Sequence, residues 1–157
     1  MIPPSVARRF RAEEAAFTWW VDDVILDEAA RVAEKRKPPD PARWTAQMHA
    51  MRVFDELIAN TDRNQGNLLI DRHWRVWLID HTRAFRTTRT LREPRQIVRC
   101  ARPLFEGLKA LTLPQLVAHL GPYLSQTQMT ALLARRDLLV QRLEALGPAA
   151  IHEAVVH

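Results

Sequence analysis

The sequence predicts an α+β protein that is mainly α-helical, and three observations support this fold class. Residues 16–21 are rich in aromatic and β-branched side chains, which is typical of a strand. Apolar residues recur with a helical period through residues 41–60 and again in the C-terminal third. At 157 residues, with 47% hydrophobic residues, the chain is long enough to form a domain with its own core.

The first third is predicted to open with a β-hairpin over residues 6–21, whose strands flank a polar turn. A helix is predicted over residues 25–36, and a group of prolines then breaks the chain. Asp40 and Pro41 are typical of the N-cap and first position of a helix. The most regular helix is therefore expected over residues 41–60.

A second hairpin is predicted from two short apolar strands at residues 68–70 and 76–79, because a polar turn separates them. The arginine-rich segment 82–95 is predicted to be a loop. Helices are expected over the remaining apolar periods, at about 95–111, about 113–121 and 126–146. The last of these starts with the capping-box pair Ser125 and Gln128.

Composition narrows the classes of function. The single cysteine, Cys100, excludes an internal disulfide and thiolate metal clusters. No apolar run approaches the roughly 20 residues that span a bilayer, and the N-terminus lacks the apolar core of a secretory signal, so a cytoplasmic protein without a membrane span is expected. The net charge of +5, carried mostly by arginine, favours an anionic partner such as a nucleotide, an acidic substrate or nucleic acid.

Polar residues at the ends of the second hairpin indicate a chemistry. Asp62 and Asn67 lie before its first strand, and Asp80 follows its second. Because a hairpin brings its two ends together, we expect these side chains to gather around one cation. Oxygen ligands of this kind hold Mg²⁺ and its bound phosphates, and phosphoryl transfer from a nucleotide needs such a set.

Two other interpretations of this stretch were weighed. In the first, Asp62 and Asn64 cap the end of the preceding helix, and Asp80 only ends a strand. The second, an EF-hand, is excluded because Asn67 stands where the glycine is expected and His73 replaces the terminal glutamate.

Asp62-Arg-Asn-Gln-Gly-Asn67, followed by Ile79-Asp80-His81, resembles the catalytic and metal-binding loops of the protein-kinase-like superfamily. The similarity is greatest to its atypical branch, which includes the phosphatidylinositol 3-/4-kinase-like and HipA-like kinases. It implies a kinase-like C-terminal lobe over residues 25–157. Residues 1–24 would be the hairpin and hinge that remain of the small lobe, within a single compact domain.

The resemblance also implies roles for individual residues. Asp62 would orient the acceptor hydroxyl, and Asn67 and Asp80 would bind the Mg²⁺ or Mn²⁺ that carries ATP. The backbone of the hinge would meet the nucleotide base along Trp20, Val21, Asp22 and Asp23. Phosphate or substrate contacts would come from Arg63 and Arg83, and the arginines after Asp80 favour an acidic acceptor.

The chain departs from this family in the phosphate-binding parts of the small lobe. Kinase-like enzymes carry a glycine-rich loop and a strand lysine, whereas none of the four glycines here precedes the catalytic loop, and Lys35 and Lys37 both follow the predicted hinge. The chain is either a natural minimal or truncated form or a fragment of a longer protein. A second copy or a partner chain is a further source of the missing parts. The alternative function is a kinase-derived binding or scaffolding module without turnover. A basic nucleic-acid-binding domain is a third hypothesis, which rests on the arginines alone.

Several other side chains carry structural expectations. His81 is expected to make a structural hydrogen bond, His49 to be solvated on the polar side of its helix, and Cys100 to be buried. Core or lobe-interface positions are expected for the tryptophans Trp19, Trp20, Trp44, Trp74 and Trp77. For Trp20 the alternative is that it lines an adenine pocket near the hinge.

Overall fold

The computed structural model describes residues 1–153, with Phe10 described by its backbone alone. It confirms the mixed α+β class, with 46% of the chain in helices and 17% in strands. Residues 154–157, which the predicted C-terminal lobe includes, lie outside the described residues. Contacts along the chain define two compact units, Met1–Pro41 with Asn64–Asp80, and residues 42–63 with the described residues from 81 onward. The division at residue 24 follows the family resemblance and stays a prediction.

The first unit contains two small sheets and a short helix. A two-stranded sheet pairs β1 with β2, and a three-stranded antiparallel sheet has the order β3-β4-β5. In chain order the elements are β1 (Ser5–Phe10), β2 (Glu13–Thr18), β3 (Val24–Asp27), α1 (Glu28–Ala33), β4 (Leu68–Asp71) and β5 (Val76–Leu78).

The β1–β2 hairpin confirms the strand pair predicted over residues 6–21. Its turn is shorter than the predicted polar segment, because Glu13 already pairs with Phe10. The two turn residues, Arg11 and Ala12, have φ values of 49° and 69°. Positive φ at both central positions is the feature of a type I′ turn, which follows the twist of the flanking strands.

The helix predicted over residues 25–36 is wrong in its first part. Val24–Asp27 forms strand β3, antiparallel to β4. The helix α1 begins only at Glu28. Asp27 is its N-cap, and the Asp27 side chain accepts a 2.7 Å hydrogen bond from the Ala30 amide. Val24 and Ile25 are β-branched and pair well in a sheet, and an aspartate at the N-cap ends the strand and starts the helix.

The second unit is mainly helical. Its elements are α2 (Pro41–Ile58), β6 (Cys100–Ala101), α3 (Arg102–Ala110), α4 (Leu113–Leu120), α5 (Gln126–Ala145) and β7 (Ile151–His152). The helices predicted at 41–60, 113–121 and 126–146 are confirmed, as is the capping box of α5 between Ser125 and Gln128. None of the helices within residues 1–153 has the length and apolar character needed to cross a membrane.

The helix predicted over 95–111 is wrong before residue 102. Cys100–Ala101 instead forms β6, which pairs in parallel with β7 some fifty residues later. Pro103 then stands within the first turn of α3, where proline is tolerated.

One cluster of buried side chains holds the helices and the short parallel strands of the second unit together. Its members are Val53, Ile97, Cys100, Phe105, Leu108, Leu139 and Leu143. The Cys100 thiol is fully buried, as predicted, and this burial raises its pKa to about 11.

Two tryptophans of the first unit contradict the expectation of core positions. Trp19 and Trp20 follow β2 and are 72% and 79% exposed. The sheet of this unit is instead buried through Leu26, Ile70, Val76 and Leu78.

Candidate functional site

The β4–β5 hairpin places Asn67 and Asp80 at the same end of the first unit's sheet. Leu68 pairs with Leu78 as the last strand pair. Beyond it, the Ile79 amide donates a 3.2 Å hydrogen bond to the Asn67 carbonyl. Asp80 therefore directly follows Ile79, the residue whose backbone is bonded to Asn67. The two chain ends meet as predicted, while metal binding by these residues stays a prediction.

The backbone has a defined conformation at both chain ends, at the 3₁₀ turn that contains Asn67 and at Asp80. The Asn64 side chain accepts a 3.2 Å hydrogen bond from the Asn67 amide and caps the short 3₁₀ turn Gln65–Asn67. Asp80 has a φ of 52°, in the left-handed region that few non-glycine residues occupy. Such conformations cluster at functional sites, where the surrounding structure enforces them. Asp80 is exposed and Asn67 half-buried, so the open end of the hairpin faces solvent.

Asp71 fixes the opposite end of the same hairpin. Its carboxylate is 1% exposed and accepts hydrogen bonds from the amides of His73 and Arg75 at 2.9 and 3.0 Å. The Arg75 Nε and Trp77 Nε1 atoms donate to its other oxygen at 2.8 and 3.0 Å. Burial alone would raise the pKa of this carboxyl, but these hydrogen bonds together hold it below its usual value.

The hydrogen bonds to Asp71 determine the register of the two strands, and so which side chains lie on each face of the hairpin. A slip of one residue in the register would turn every side chain to the other face of the sheet. By holding the turn and the next strand at four points, Asp71 fixes that register and hence the relation of Asn67 to Asp80. Asp71 is not among the predicted site residues, although an aspartate at the start of a hairpin turn is a recognisable signal.

Asp62 lies in the second unit, on the loop that follows α2. Its amide donates a 3.2 Å hydrogen bond to the side chain of the buried Asn60. Its carboxylate forms an ion pair with Arg83, with 3.4 Å between Oδ2 and Nε. The Asp62 and Arg83 side chains are 48% and 64% exposed, so this pair is at the surface.

Arg63 is held by Asp55, which is not among the predicted site residues. Its guanidinium donates two 2.9 Å hydrogen bonds to Asp55, one to each carboxylate oxygen. It also lies 3.0 Å from Nε2 of His81. Because arginine only donates, Nε2 of His81 is the acceptor in this contact. This confirms the structural hydrogen bond expected of His81.

The Asp55–Arg63 pair fastens the loop to the helix rather than facing solvent. Its side chains are 12% and 10% exposed, and Asp55 also accepts a 3.0 Å bond from the Asn60 side chain. A two-point bond of this kind fixes both groups in one plane. Arg63 is therefore already engaged with a carboxylate, whereas Arg83 stands at the surface beside Asp62.

The loop predicted over residues 82–95 is confirmed as largely irregular, and it is anchored at several points of the second unit. The carbonyl of Arg83 accepts from the Thr61 amide at 3.4 Å. Fully buried Arg135 donates from α5 to the carbonyls of Arg86 and Thr88, and to that of Leu57 at 3.0 Å. These bonds hold the end of α2 and the 82–95 segment against α5, and they join Arg83 to the loop that carries Asp62.

The predicted hinge residues line a cavity of about 180 Å³ within the first unit. This volume is below the roughly 300–1,000 Å³ of pockets that enclose drug-sized ligands, so a single ring system is the largest group it would enclose. The lining residues are Pro3, Pro4, Trp19, Trp20, Val21, Asp22, Asp23, Asp71, Arg75 and Trp77.

Part of the hinge backbone is already used by the sheet. The Asp23 carbonyl accepts a 2.9 Å hydrogen bond from the Arg72 amide, and Val24 pairs with Asp71. The backbone of Trp20, Val21 and Asp22 lies outside the strand ladders of the described residues. These three are the predicted hinge positions whose backbone is best placed for a ligand.

Residues 1–153 hold no group of three or more histidine, cysteine, aspartate or glutamate side chains arranged for a metal ion. The predicted set of one carboxylate and one carboxamide is of a different kind. The chain matches no protein-family model, and the comparison with curated proteins finds no significant match.

Proposed function

We propose that this chain is a kinase-like phosphotransferase domain that binds a nucleotide and its divalent cation at the open end of the β4–β5 hairpin. The observation that best supports this is the hydrogen bond from the Ile79 amide to the Asn67 carbonyl. It joins the backbone of Asn67 to the residue that precedes Asp80, where the strands end. Phosphoryl transfer requires charge neutralisation and alignment at such a point.

The cation in this proposal is Mg²⁺ or Mn²⁺, bound by Asp80 and Asn67 together with the phosphates of ATP. Mg²⁺ keeps several waters and takes one or two protein carboxylates beside substrate phosphates, so a single aspartate and an asparagine suffice. When bound, the ion supplies charge neutralisation at the transferred phosphoryl group. The backbone of Asp80 is left-handed, with φ of 52°, and conformations of this kind cluster at functional sites.

The base of the nucleotide is assigned to the cavity lined by the predicted hinge. Its tryptophans, Trp19, Trp20 and Trp77, offer aromatic faces on which a base can stack. The backbone of Val21 and Asp22 offers the amides and carbonyls that recognise a base edge. The cavity size restricts the enclosed part to the ring system.

Asp62 is assigned the acceptor hydroxyl, which it would orient and from which it would take the proton. Arg83 is the basic residue at the surface beside it, and we assign phosphate or acidic-substrate contact to Arg83 rather than to Arg63. Arg63, paired with Asp55, positions the loop. ATP-dependent transfer would fit the cytoplasmic location expected from the sequence.

Calorimetry with Mn²⁺ and ATP tests the binding step. Asp80→Ala is expected to weaken binding by at least about tenfold, because a charged ligand of the ion is lost, and Asn67→Ala to weaken it less. Asp137→Ala is the matched control, since this exposed aspartate lies on α5 and pairs only with its neighbour Arg136 among the described residues. Equal affinities for Asp80→Ala and Asp137→Ala would refute the assignment.

A second candidate, a binding module without turnover, is favoured by the lack of a glycine ahead of the catalytic loop. Release of phosphate from ATP labelled at the γ position separates the two functions. If the chain is an enzyme, Asp62→Asn abolishes the release while Mn²⁺–ATP binding persists. Binding without any release by the unmodified chain would support the module instead.

A further inference from the structure

Two segments of the second unit, residues 57–62 and 83–88, lie side by side, and we call them together the double loop. At one end of it the Phe85 amide donates a 2.5 Å hydrogen bond to the Ile58 carbonyl. Ile58 is the last residue of α2 and is buried, so this bond lies at the inner end of the double loop. The two segments thus begin their contact where the helix stops.

The outer end of the double loop carries the ion pair between Asp62 and Arg83. The amide and the hydroxyl of Thr61 both donate to the Arg83 carbonyl, at 3.4 and 3.2 Å. The next residue, Asp62, is paired with the Arg83 side chain at the surface. The separation of Asp62 from Arg83 is therefore set by these backbone contacts as well as by the charges of the two side chains.

One buried side chain joins the two segments at the inner end. Arg135 of α5 is fully buried, and its Nε atom donates a 3.0 Å hydrogen bond to the Leu57 carbonyl of the first segment. Its Nη1 atom donates to the carbonyls of Arg86, at 3.0 Å, and Thr88, at the end of the second segment. A planar guanidinium directs its donors along fixed lines. Arg135 therefore fixes the position of the two segments relative to each other.

The energetics of this arginine indicate a role other than general stability. Burial lowers the pKa of Arg135, and the negative charge of Glu56 offsets this only in part. Within residues 1–153 its hydrogen bonds all go to backbone carbonyls, and its buried Nη2 atom has no partner. An apolar side chain of similar volume would fill the place without the cost of burying a charge. What the arginine adds is the geometry of the double loop.

We propose that Arg135 is a positioning residue for the Asp62–Arg83 pair, because it sets the geometry of the double loop that carries both side chains. The part that the pair plays in phosphoryl transfer rests on the proposed function. A misplacement of about 1 Å at a reacting group can cost about a hundredfold in rate. Arg135 is not part of the cation site assigned to Asn67 and Asp80, so its loss should change turnover and leave nucleotide binding intact.

Arg136, the next residue of α5, provides the matched control. Its guanidinium also donates to backbone carbonyls, those of Leu108, at 3.3 Å, and Leu111. These carbonyls lie at the end of α3, outside the double loop. Arg136→Met and Arg135→Met therefore remove the same kind of hydrogen bond from the same helix, and only the second acts on the double loop.

Release of phosphate from ATP labelled at the γ position, together with calorimetry of Mn²⁺–ATP binding, tests the effect on turnover. Arg135→Met is expected to lower kcat at least about tenfold, while the KM for ATP and the affinity for Mn²⁺–ATP stay unchanged. Arg135→Lys keeps the charge without the planar fork and should give an intermediate kcat. Equal kcat in Arg135→Met and Arg136→Met, or a parallel loss of nucleotide affinity, would overturn the proposal.

Amide exchange followed by NMR tests the positioning without any activity. The amides of Phe85 and Thr61 bridge the two segments, and in Arg135→Met they should exchange about tenfold faster, since neighbouring hydrogen bonds are lost. In Arg136→Met they should exchange as in the unmodified chain. If the unmodified chain releases no phosphate, the proposed function fails, and these amides still show whether Arg135 holds the double loop. Unchanged exchange at both amides would show that it does not.

The NMR signal of the Arg83 Nε–H group reports on the ion pair itself. Asp62→Asn removes the pair and defines the signal of an unpaired Arg83. Arg135→Met should shift the signal towards that position. Thr61→Val, which loses the hydroxyl bond to the Arg83 carbonyl but keeps the buried arginine, should shift it in the same direction by less. A signal that does not move in Arg135→Met would overturn the proposal, and Arg135→Lys with Thr61→Val gives the same comparison if Arg135→Met does not fold.

Discussion

Two hairpins of the first unit share a topology and differ in almost everything else. Both are antiparallel pairs of short strands. In β1–β2 nearly all side chains are exposed, and Val6 and Phe17 are each 47% exposed. In β4–β5, Ile70 is fully buried and a third strand, β3, pairs alongside.

The difference shows what a hairpin needs before it can position a chemical group. A two-stranded hairpin alone is marginally stable in water, and among the described residues β1 and β2 pair only with each other. The β4–β5 hairpin is fixed by apolar burial on its face and by the Asp71 hydrogen bonds at its turn. Its open end, with Asn67 and Asp80, therefore belongs to the hairpin that packing and hydrogen bonds hold in one register. We expect each perturbation below to affect the two hairpins unequally.

Removal of apolar volume should have the largest effect. Ile70→Ala is expected to lower the free energy of unfolding by about 4 kcal/mol, because Ile70 is fully buried and its loss leaves a cavity. Val6→Ala on β1, which is 47% exposed, should cost about 0.5 kcal/mol or less. Urea unfolding of the two variants measures both values. Similar losses would show that β1–β2 is packed as firmly as β4–β5.

Loss of the buried carboxylate should come next. Asp71→Ala is expected to cost about 3 kcal/mol, since it leaves Arg75, Trp77 and two turn amides without their acceptor. Glu14→Ala, on the exposed β2, should change the unfolding free energy by less than about 0.5 kcal/mol. Urea unfolding again provides the comparison. Equal stability of the two variants would show that the hydrogen bonds of Asp71 do not stabilise the fold.

Acid should weaken the Asp71 hairpin selectively. The folded-state pKa of Asp71 lies below its usual value of 3.8. The stability that it contributes is present above the usual value and is lost as the pH falls through the folded-state value. We expect amide exchange in β4–β5 to accelerate in this window more in the unmodified chain than in Asp71→Asn. An equal acceleration in both would assign the acid sensitivity to other groups.

A substitution in the turn of the exposed β1–β2 hairpin should have the smallest effect on stability, and this effect should be stabilising. Ala12 has a φ of 69°, which glycine adopts without strain. Ala12→Gly should therefore stabilise β1–β2 by about 1 kcal/mol, seen as about fivefold slower amide exchange there. Ala15→Gly, within β2, should have the opposite effect. Faster exchange in Ala12→Gly would contradict the turn conformation.

The parts of the fold that the sequence predicts are those with local causes. α5 begins at the capping box Ser125–Gln128, and the β4–β5 hairpin follows from two apolar runs around a polar turn. The sequence predicts a helix where β3 forms, because the strand character of this segment depends on pairing with β4, some forty residues later. The short strand at Cys100 was not predicted for the same reason, since its partner Ile151 lies about fifty residues later.

The candidate site divides in the same way. The positions of Asn67 and Asp80 follow from the hairpin, so the sequence was sufficient to bring them together. The partner of Arg63 was not predictable, because nothing local selects Asp55 among the chain's 18 acidic residues. His49 was expected in solvent because its helical position is polar, but the residue is half-buried, and this burial lowers the pKa of its ring.

The most direct test of the cation site uses Mn²⁺ with a non-hydrolysable ATP analogue and records paramagnetic broadening of backbone amide signals. We predict that Asn67, Ile79 and Asp80 lose intensity first, that the β1–β2 turn is unaffected, and that Asp80→Ala abolishes the effect. Broadening that spares the end of the β4–β5 hairpin, or that persists in Asp80→Ala, would contradict a cation site at Asn67 and Asp80.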